Sequence, residues 1–314
     1  MTKYILKRVL LIIPSLLLVV LVIYSLLTFV SFGKPFSLSL YRGDFLDKIF
    51  EFFHVQGGFF SRYVRYCWNV IVRLDFGSSA QTGMTITEEL MPRLGRTMLL
   101  TVLSLITAAV LGIPLGIGAA MNRNNWQDNL ASVSTLLLSS VPSYVLTIIL
   151  VLIFALYLGV LPVSGIENWT SYIMPVIVTS MGSIAETTQI TRSAISSVMN
   201  RQYISASKGM GIPSRQLTYM HILRNSLTPI ISTLARNAAA VLGSSLIVEN
   251  FFTIPALGSY LIKAVNDRNF TRVLGCSFVI AAALILINFA ADLVNILIDP
   301  KLRASISSGK AGEV

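Results

Sequence analysis

The stretch that decides the fold class lies near the start of the chain, where residues 9–30 read VLLIIPSLLLVVLVIYSLLTFV. This run contains no Asp, Glu, Lys or Arg. An α-helix needs about 20 apolar residues to cross a hydrocarbon core of about 30 Å. The run therefore predicts a helix that spans a membrane.

Further windows of similar length are nearly free of ionisable groups, and they cover residues 97–121, 130–158, 173–190, 226–248 and 274–298. The whole composition agrees, with 54% hydrophobic and only 12% charged residues among 314. Soluble domains carry about twice that charged fraction. We predict an all-α fold, a polytopic transmembrane helical bundle of about six spans.

The net charge of +10 is carried by Lys and Arg residues scattered among the loops. They form no basic stripe, so we predict contact with membrane lipid and no nucleic-acid partner. With the N-terminus inside, the segments on the cytoplasmic side hold 12 of the 24 Lys and Arg residues, and the two short external loops hold 3. Loops of about 60 residues cross a membrane with little regard to charge, so residues 32–95 are left out of this comparison. The positive-inside rule predicts a cell-membrane protein with both termini in the cytoplasm (N-in, C-in).

This topology divides the chain into four regions. Residues 1–31 are the N-terminal tail and the first transmembrane helix, and residues 32–95 form an extracytoplasmic segment. Residues 96–299 form the transmembrane core, with a cytoplasmic loop at residues 192–225. Residues 300–314 are a cytoplasmic tail.

The extracytoplasmic segment is rich in aromatic residues with interleaved arginines. They are Phe45, Phe50, Phe52, Phe53, Phe59, Phe60, Tyr63 and Tyr66, with Arg62, Arg65 and Arg73. An aromatic belt in the membrane interface and a docking surface for an external partner both fit this pattern.

Smaller signals describe the helices and the cysteines. Thr87, followed by Glu88 and Glu89, predicts the start of the second membrane helix, because a hydroxyl and acidic side chains stabilise a first helical turn. Glycines within the spans predict close helix contacts. They are Gly112, Gly116 and Gly118. The two cysteines, Cys67 and Cys276, are interpreted as packing residues.

The most informative polar stretch covers residues 200–231 and reads NRQYISASKGMGIPSRQLTYMHILRNSLTPII. It predicts a short helix over residues 203–210 that Gly211 ends, with Pro213 beginning the next element. The chain has no G-x-x-x-x-G-K-[ST] nucleotide loop. If ATP drives its function, another chain binds the nucleotide, and a rigid cytoplasmic projection is what must receive the motion.

This stretch resembles the cytoplasmic EAA loop of ABC importer permeases, with Ala206, Gly211 and Pro229 at the positions where that pattern expects them. The similarity is strongest to the B-type permease subunits of dipeptide and oligopeptide importers. Their signature has a Tyr early in the loop and a His followed by Arg-Asn, and the matching residues are Tyr203, His221, Arg224 and Asn225. Further segments resemble that family in the same order, among them GIPLGIGAA at 112–120 and VLGSSLIVENFFTIPALGSYL at 241–261.

The resemblance implies a type I ABC importer permease fold and a set of partners. These are a homologous second permease subunit, two cytoplasmic ATP-binding subunits and an extracytoplasmic solute-binding protein. No covalent chemistry is expected on this chain, no cofactor and no metal; ATP and Mg would be bound by the partner ATPase subunits. Import of oligopeptides or dipeptides is the function that the family favours. The same role for nickel, a metallophore or glutathione is the alternative.

Charged residues inside the spans are candidates for the pathway or its gate. A charge at such depth costs at least about 2.5 kcal/mol, so it should face the bundle interior or water. Arg236 is predicted to line the pathway or to pair with Glu186 or Asp292. Glu249 belongs to the external gate region or extends outward at the interface.

Two other classes of function fit the sequence less well. With only two histidines there is no H-E-x-x-H zinc site, and no G-x-S-x-G motif occurs, which disfavours an intramembrane enzyme. An ion-coupled secondary transporter would show inverted repeats, and none is visible.

Overall fold

The structure, a computed structural model, describes residues 2–29, 59–78, 83–166, 168–210, 213 and 216–299. These residues form helices joined by loops, with one isolated β-bridge between Ser78 and Thr85. The helices are α1 (Thr2–Phe29), α2 (Phe59–Arg73), α3 (Ile86–Met121), α4 (Trp126–Ser140), α5 (Ser143–Leu150, continued as a π-helix over Val151–Tyr157), α6 (Ile173–Met199), α7 (Gln202–Gly209), α8 (Arg224–Phe251), α9 (Leu257–Asn266) and α10 (Phe270–Ile298). The all-α prediction is confirmed.

The membrane spans differ in part from the prediction of about six. Four described helices, α1, α3, α8 and α10, are long and apolar enough to cross a membrane, or five spans if α4 and α5 are one. The predicted span 130–158 is broken, because α4 and α5 meet at an angle of 102°. Pro142 follows the break and has no amide hydrogen for a continuous helix. The predicted span 173–190 is helical as α6, but α6 carries too many polar residues to join the apolar spans.

The chain divides into two compact units. The larger unit contains the described residues of Met98–Ile254 and Leu286–Val314, and the smaller unit those of Thr2–Thr97 and Pro255–Ile285.

In the larger unit, α6 packs against α8 and against α4. Two of the three predicted glycine contacts are confirmed. A Cβ added at Gly112 would lie 2.9 Å from Thr187 Cβ, and one added at Gly116 would lie 2.5 Å from Thr191 Cβ. Gly118 is different, since an added Cβ there would meet nothing within 4 Å.

In the smaller unit, α2 packs against α1. The Tyr63 hydroxyl donates to the Leu17 carbonyl oxygen at 2.6 Å, and the Tyr24 and Tyr63 rings lie 5.9 Å apart between centroids. Both cysteines are free and buried, as predicted for packing residues. Of the predicted aromatic stretch, Phe45, Phe50, Phe52 and Phe53 lie outside the described residues.

The start of α3 corrects the predicted cap. Thr85, and not Thr87, caps the helix: the Glu88 amide donates to Thr85 Oγ1 at 3.3 Å, and the Thr85 amide donates to Glu88 Oε2 at 3.1 Å. This reciprocal pair is a capping box. The Thr87 hydroxyl donates instead to the Leu74 carbonyl oxygen at 3.0 Å.

Candidate functional site

The predicted short helix after α6 is confirmed as α7, which begins at Gln202 and ends at Gly209. A tight connection leads into it: the Arg201 amide donates to the Val198 carbonyl oxygen at 3.1 Å, and the Ile204 amide donates to that of Arg201 at 3.0 Å. α7 therefore follows the end of α6 with no flexible linker. Gly211, the predicted helix stop, lies outside the described residues.

One side chain anchors α7. Ile204 is 0% exposed and is the only large apolar residue in QYISASKG, the sequence of α7. It belongs to a buried cluster that joins the ends of α3 and α6 to the π-helical turn Leu217–Leu223 before α8. The members of this cluster are Ala120, Ile195, Val198, Ile204, Leu217 and Ile222. A displacement of α7 is therefore passed to α6 through close-packed side chains.

The structure brings two of the resemblance residues together. The Asn225 side-chain amide donates to the Tyr203 hydroxyl oxygen at 3.2 Å, which ties the start of α8 to α7. Ala206 and Arg224 are exposed. His221 lies in the π-helical turn, and its side chain is outside the described residues.

An ion pair that sequence reasoning missed lies one turn before this cluster. Arg192 of α6 donates from Nε to Asp128 Oδ1 at 2.5 Å and from Nη2 to Asp128 Oδ2 at 2.9 Å. Asp128, in the first turn of α4, also accepts the Asn124 amide at 3.0 Å. In the sequence both residues count only as loop charges, because nothing marks a partner 64 positions away.

The exposed face of α6 is entirely polar or small. Its exposed residues are Gly182, Glu186, Gln189, Ser193 and Ser197, at spacings of three and four that place them on one side of the helix. On α3 between Leu99 and Met121 every exposed residue is apolar. Lipid tails suit the face of α3, whereas the face of α6 suits water or a polar partner surface.

The four predicted pathway charges lie in different surroundings. Glu186 and Arg236 are exposed, and the Arg236 guanidinium donates to Thr233 Oγ1 at 3.1 Å. Among the described residues, Arg236 has no ion pair with Glu186 or with Asp292, which is half-buried in α10. Glu249 is 0% exposed, and Ser245 donates to its carboxylate at 3.5 Å. The alternative that Glu249 extends outward is therefore wrong.

Comparison with known proteins decides the family. The family described as "Binding-protein-dependent transport system inner membrane component" matches residues 112–304, more than half of the chain. The chain belongs to this family. It is a permease subunit of an ABC importer and a multi-pass membrane protein.

Curated relatives match this permease along almost its full length. The glutathione transport system permease protein GsiC of Salmonella paratyphi A (strain ATCC 9150 / SARB42) is 30% identical, covering 96% of this chain and 99% of the relative. The protein of the same name from Escherichia coli (strain K12) is 28% identical with the same coverage.

Solved structures establish the fold of the permease. A chain of an amino acid ABC transporter crystallised with histidines aligns with a TM-score of 0.55 and 17% identity, covering 67% of this permease and 94% of that chain. A chain of the inward-facing MetNI methionine ABC transporter aligns with the same score and identity, covering 67% and 96%. The predicted type I importer permease fold is confirmed.

A second polar cluster lies in the smaller unit of the permease, and the sequence had shown Glu89 only as an acid of a first helical turn. Glu89 is buried and accepts the Tyr260 hydroxyl and, at 2.9 Å, Arg272 Nη2. The Arg93 guanidinium carbon lies 4.5 Å from the centroid of the Tyr260 ring. Burial raises the pKa of Tyr260, and its hydrogen bond to Glu89 raises it further, so the phenol stays protonated and donates. This cluster fixes the start of α3 against α9 and the start of α10.

Proposed function

We propose that this permease forms half of the translocation pathway of an ATP-driven importer for short peptides. The observation that carries the proposal is the exposed polar face of α6 on a helix of a membrane protein. A peptide leaves water only if its amides find hydrogen-bond partners, and the carboxylate, amide and hydroxyl groups along Glu186, Gln189 and Ser193 offer them.

The cargo class rests on the relatives. Glutathione is itself a tripeptide, and GsiC proteins are named as glutathione permeases. Short peptides with glutathione among them are therefore the first cargo to test. Nickel and metallophores remain the alternative within the same family.

The energy comes from other chains. The partners are a homologous second permease, two cytoplasmic ATPase subunits that bind ATP and Mg, and an extracytoplasmic solute-binding protein. Membership of the binding-protein-dependent family supports this set. The permease itself contributes no catalytic residue.

The mechanism is alternating access driven through α7, which we assign as the coupling helix. A loaded binding protein docks outside, and ATP closes the two ATPase subunits against α7. The Ile204 cluster passes that motion to α6, and α6 carries the polar face along the pathway. The pathway then opens to one side and afterwards to the other. Glu186 and Arg236 are placed along this path, and Glu249 and Asp292 near its ends.

Thiol labelling tests the pathway assignment. In a background with Cys67→Ala and Cys276→Ala, Gln189→Cys and Ser193→Cys should react with a membrane-impermeant maleimide in the assembled transporter, because the α6 face contacts water. Ile106→Cys is the matched control, since Ile106 is 52% exposed on the apolar face of α3. The expected result is labelling at least 10-fold faster at positions 189 and 193 than at 106. Equal rates at the three positions would contradict the assignment.

A further inference from the structure

The Asp128–Arg192 pair is buried on one side and open on the other. The Asp128 side chain is 3% exposed and that of Arg192 is 38% exposed. Three donors serve the carboxylate: Arg192 Nε, Arg192 Nη2 and the Asn124 amide. Asp128 also lies in the first turn of α4, where the helix dipole favours a negative charge. A carboxylate so enclosed has no route to water when its partner leaves, so the pair stays closed.

The position of the pair within α6 connects it to both ends of the mechanism. Arg192 lies three residues before Ile195, which packs with Ile204 of the coupling helix. It also lies between Gln189 and Ser193 of the polar face. A second contact joins the same two helices, since Gln189 Nε2 donates to Thr135 Oγ1 of α4 at 3.2 Å.

The chemistry of the pair suits a stiff connection. Two parallel N–H···O bonds fix both the distance and the angle between a guanidinium and a carboxylate, whereas apolar side chains allow helices to slide. The guanidinium also keeps its charge at every physiological pH. α4 is thereby held to α6 at the level where motion of the coupling helix enters the bundle.

We propose that Asp128 and Arg192 are positioning residues that make α4 move together with α6, so that displacement of the coupling helix is converted into opening of the pathway. The inference rests on the proposed function, because it requires that partner ATPases drive the coupling helix. It adds that an ion pair outside the EAA-like loop sets how much solute moves for each ATP hydrolysed.

The experiment measures coupling in the intact complex, purified with its partner subunits and reconstituted in liposomes. Transport of labelled glutathione and of a defined mixture of labelled di- and tripeptides is divided by ATP hydrolysed, per assembled complex. The variants are Asp128→Asn and Arg192→Lys, which keep side-chain size or charge but lose the two-bond geometry. Glu88→Gln is the matched control, since Glu88 is also a first-turn carboxylate but is exposed.

We expect Asp128→Asn to lower the transport-to-hydrolysis ratio at least 5-fold and Arg192→Lys to lower it by a smaller factor, while Glu88→Gln keeps the wild-type ratio. A purely structural pair would reduce the yield of complex and leave the ratio unchanged, and that result would overturn the inference. If Asp128→Asn does not assemble, Arg192→Lys decides, because its charge remains. Absence of cargo-stimulated hydrolysis in the wild-type complex would overturn the proposed function and the inference together.

Discussion

Gly116→Ala is expected to leave little assembled permease in the membrane. The added Cβ would lie 2.5 Å from Thr191 Cβ and 2.7 Å from the carbonyl oxygen of Thr188. The carbonyl belongs to the backbone of α6, so it cannot turn away as a flexible side chain would. Overpacking of this kind costs about 3 kcal/mol or more, because two helices must separate along their contact.

Gly118→Ala supplies the matched control for Gly116→Ala. The chemical change is the same and the helix is the same, but the added Cβ would meet nothing within 4 Å. Alanine is favoured over glycine inside a helix by about 1 kcal/mol, so this variant should be at least as stable as the wild type. Thermal unfolding of the purified variants and their yield from membranes provide the measurement. Equal stability of the two variants would show that α3 and α6 do not touch at Gly116.

Ile204→Ala is expected to abolish most transport while the permease still inserts and assembles. Removing a fully buried Ile costs about 2–5 kcal/mol of packing. The loss falls on a helix with a single large apolar anchor, so α7 detaches from the end of α6. Transport should fall at least 10-fold, and ATP hydrolysis by the complex should continue without stimulation by the loaded binding protein.

Met210→Ala controls for a change in side-chain size beside the coupling helix. Met210 is 73% exposed and follows α7 directly, so its truncation removes little packing. We expect wild-type transport for this variant. Uptake and ATP hydrolysis are measured on the same preparations. Normal stimulation of ATP hydrolysis in Ile204→Ala would exclude the cluster as the route of coupling.

Much of the fold follows from local sequence. Helices α3, α8 and α10 contain the predicted spans 97–121, 226–248 and 274–298. The coupling helix was predicted within one residue at each end, because a glycine follows and a single polar run precedes it. Local propensity and hydropathy decide such features, and both are visible in a short window.

Features that depend on distant contacts could not be predicted. A window around Asp128 contains no sign of Arg192, since the pair forms only when α4 and α6 pack. The same holds for the burial of Glu249, whose position near a helix end fits an exposed acid equally well. Pro142 marks a bend in the sequence, but the angle of 102° between α4 and α5 depends on what each helix packs against.

The polar face of α6 shows how a hydropathy criterion and function can conflict. Residues 173–190 were predicted as a span, yet α6 does not qualify by apolar composition. Its buried residues are hydroxyl-bearing as well as apolar, and its exposed residues are polar or small. A helix that borders water inside a protein needs no apolar outer face, which explains why composition alone misjudges it.

The most direct test of the account is purification of the tagged permease from native membranes, followed by ATP hydrolysis in the reconstituted complex. The account predicts that a second permease and ATPase subunits co-purify, and that a binding protein loaded with glutathione or a short peptide raises hydrolysis several-fold. A permease that purifies alone and whose uptake follows a proton or sodium gradient, unaffected by ATP, would contradict it.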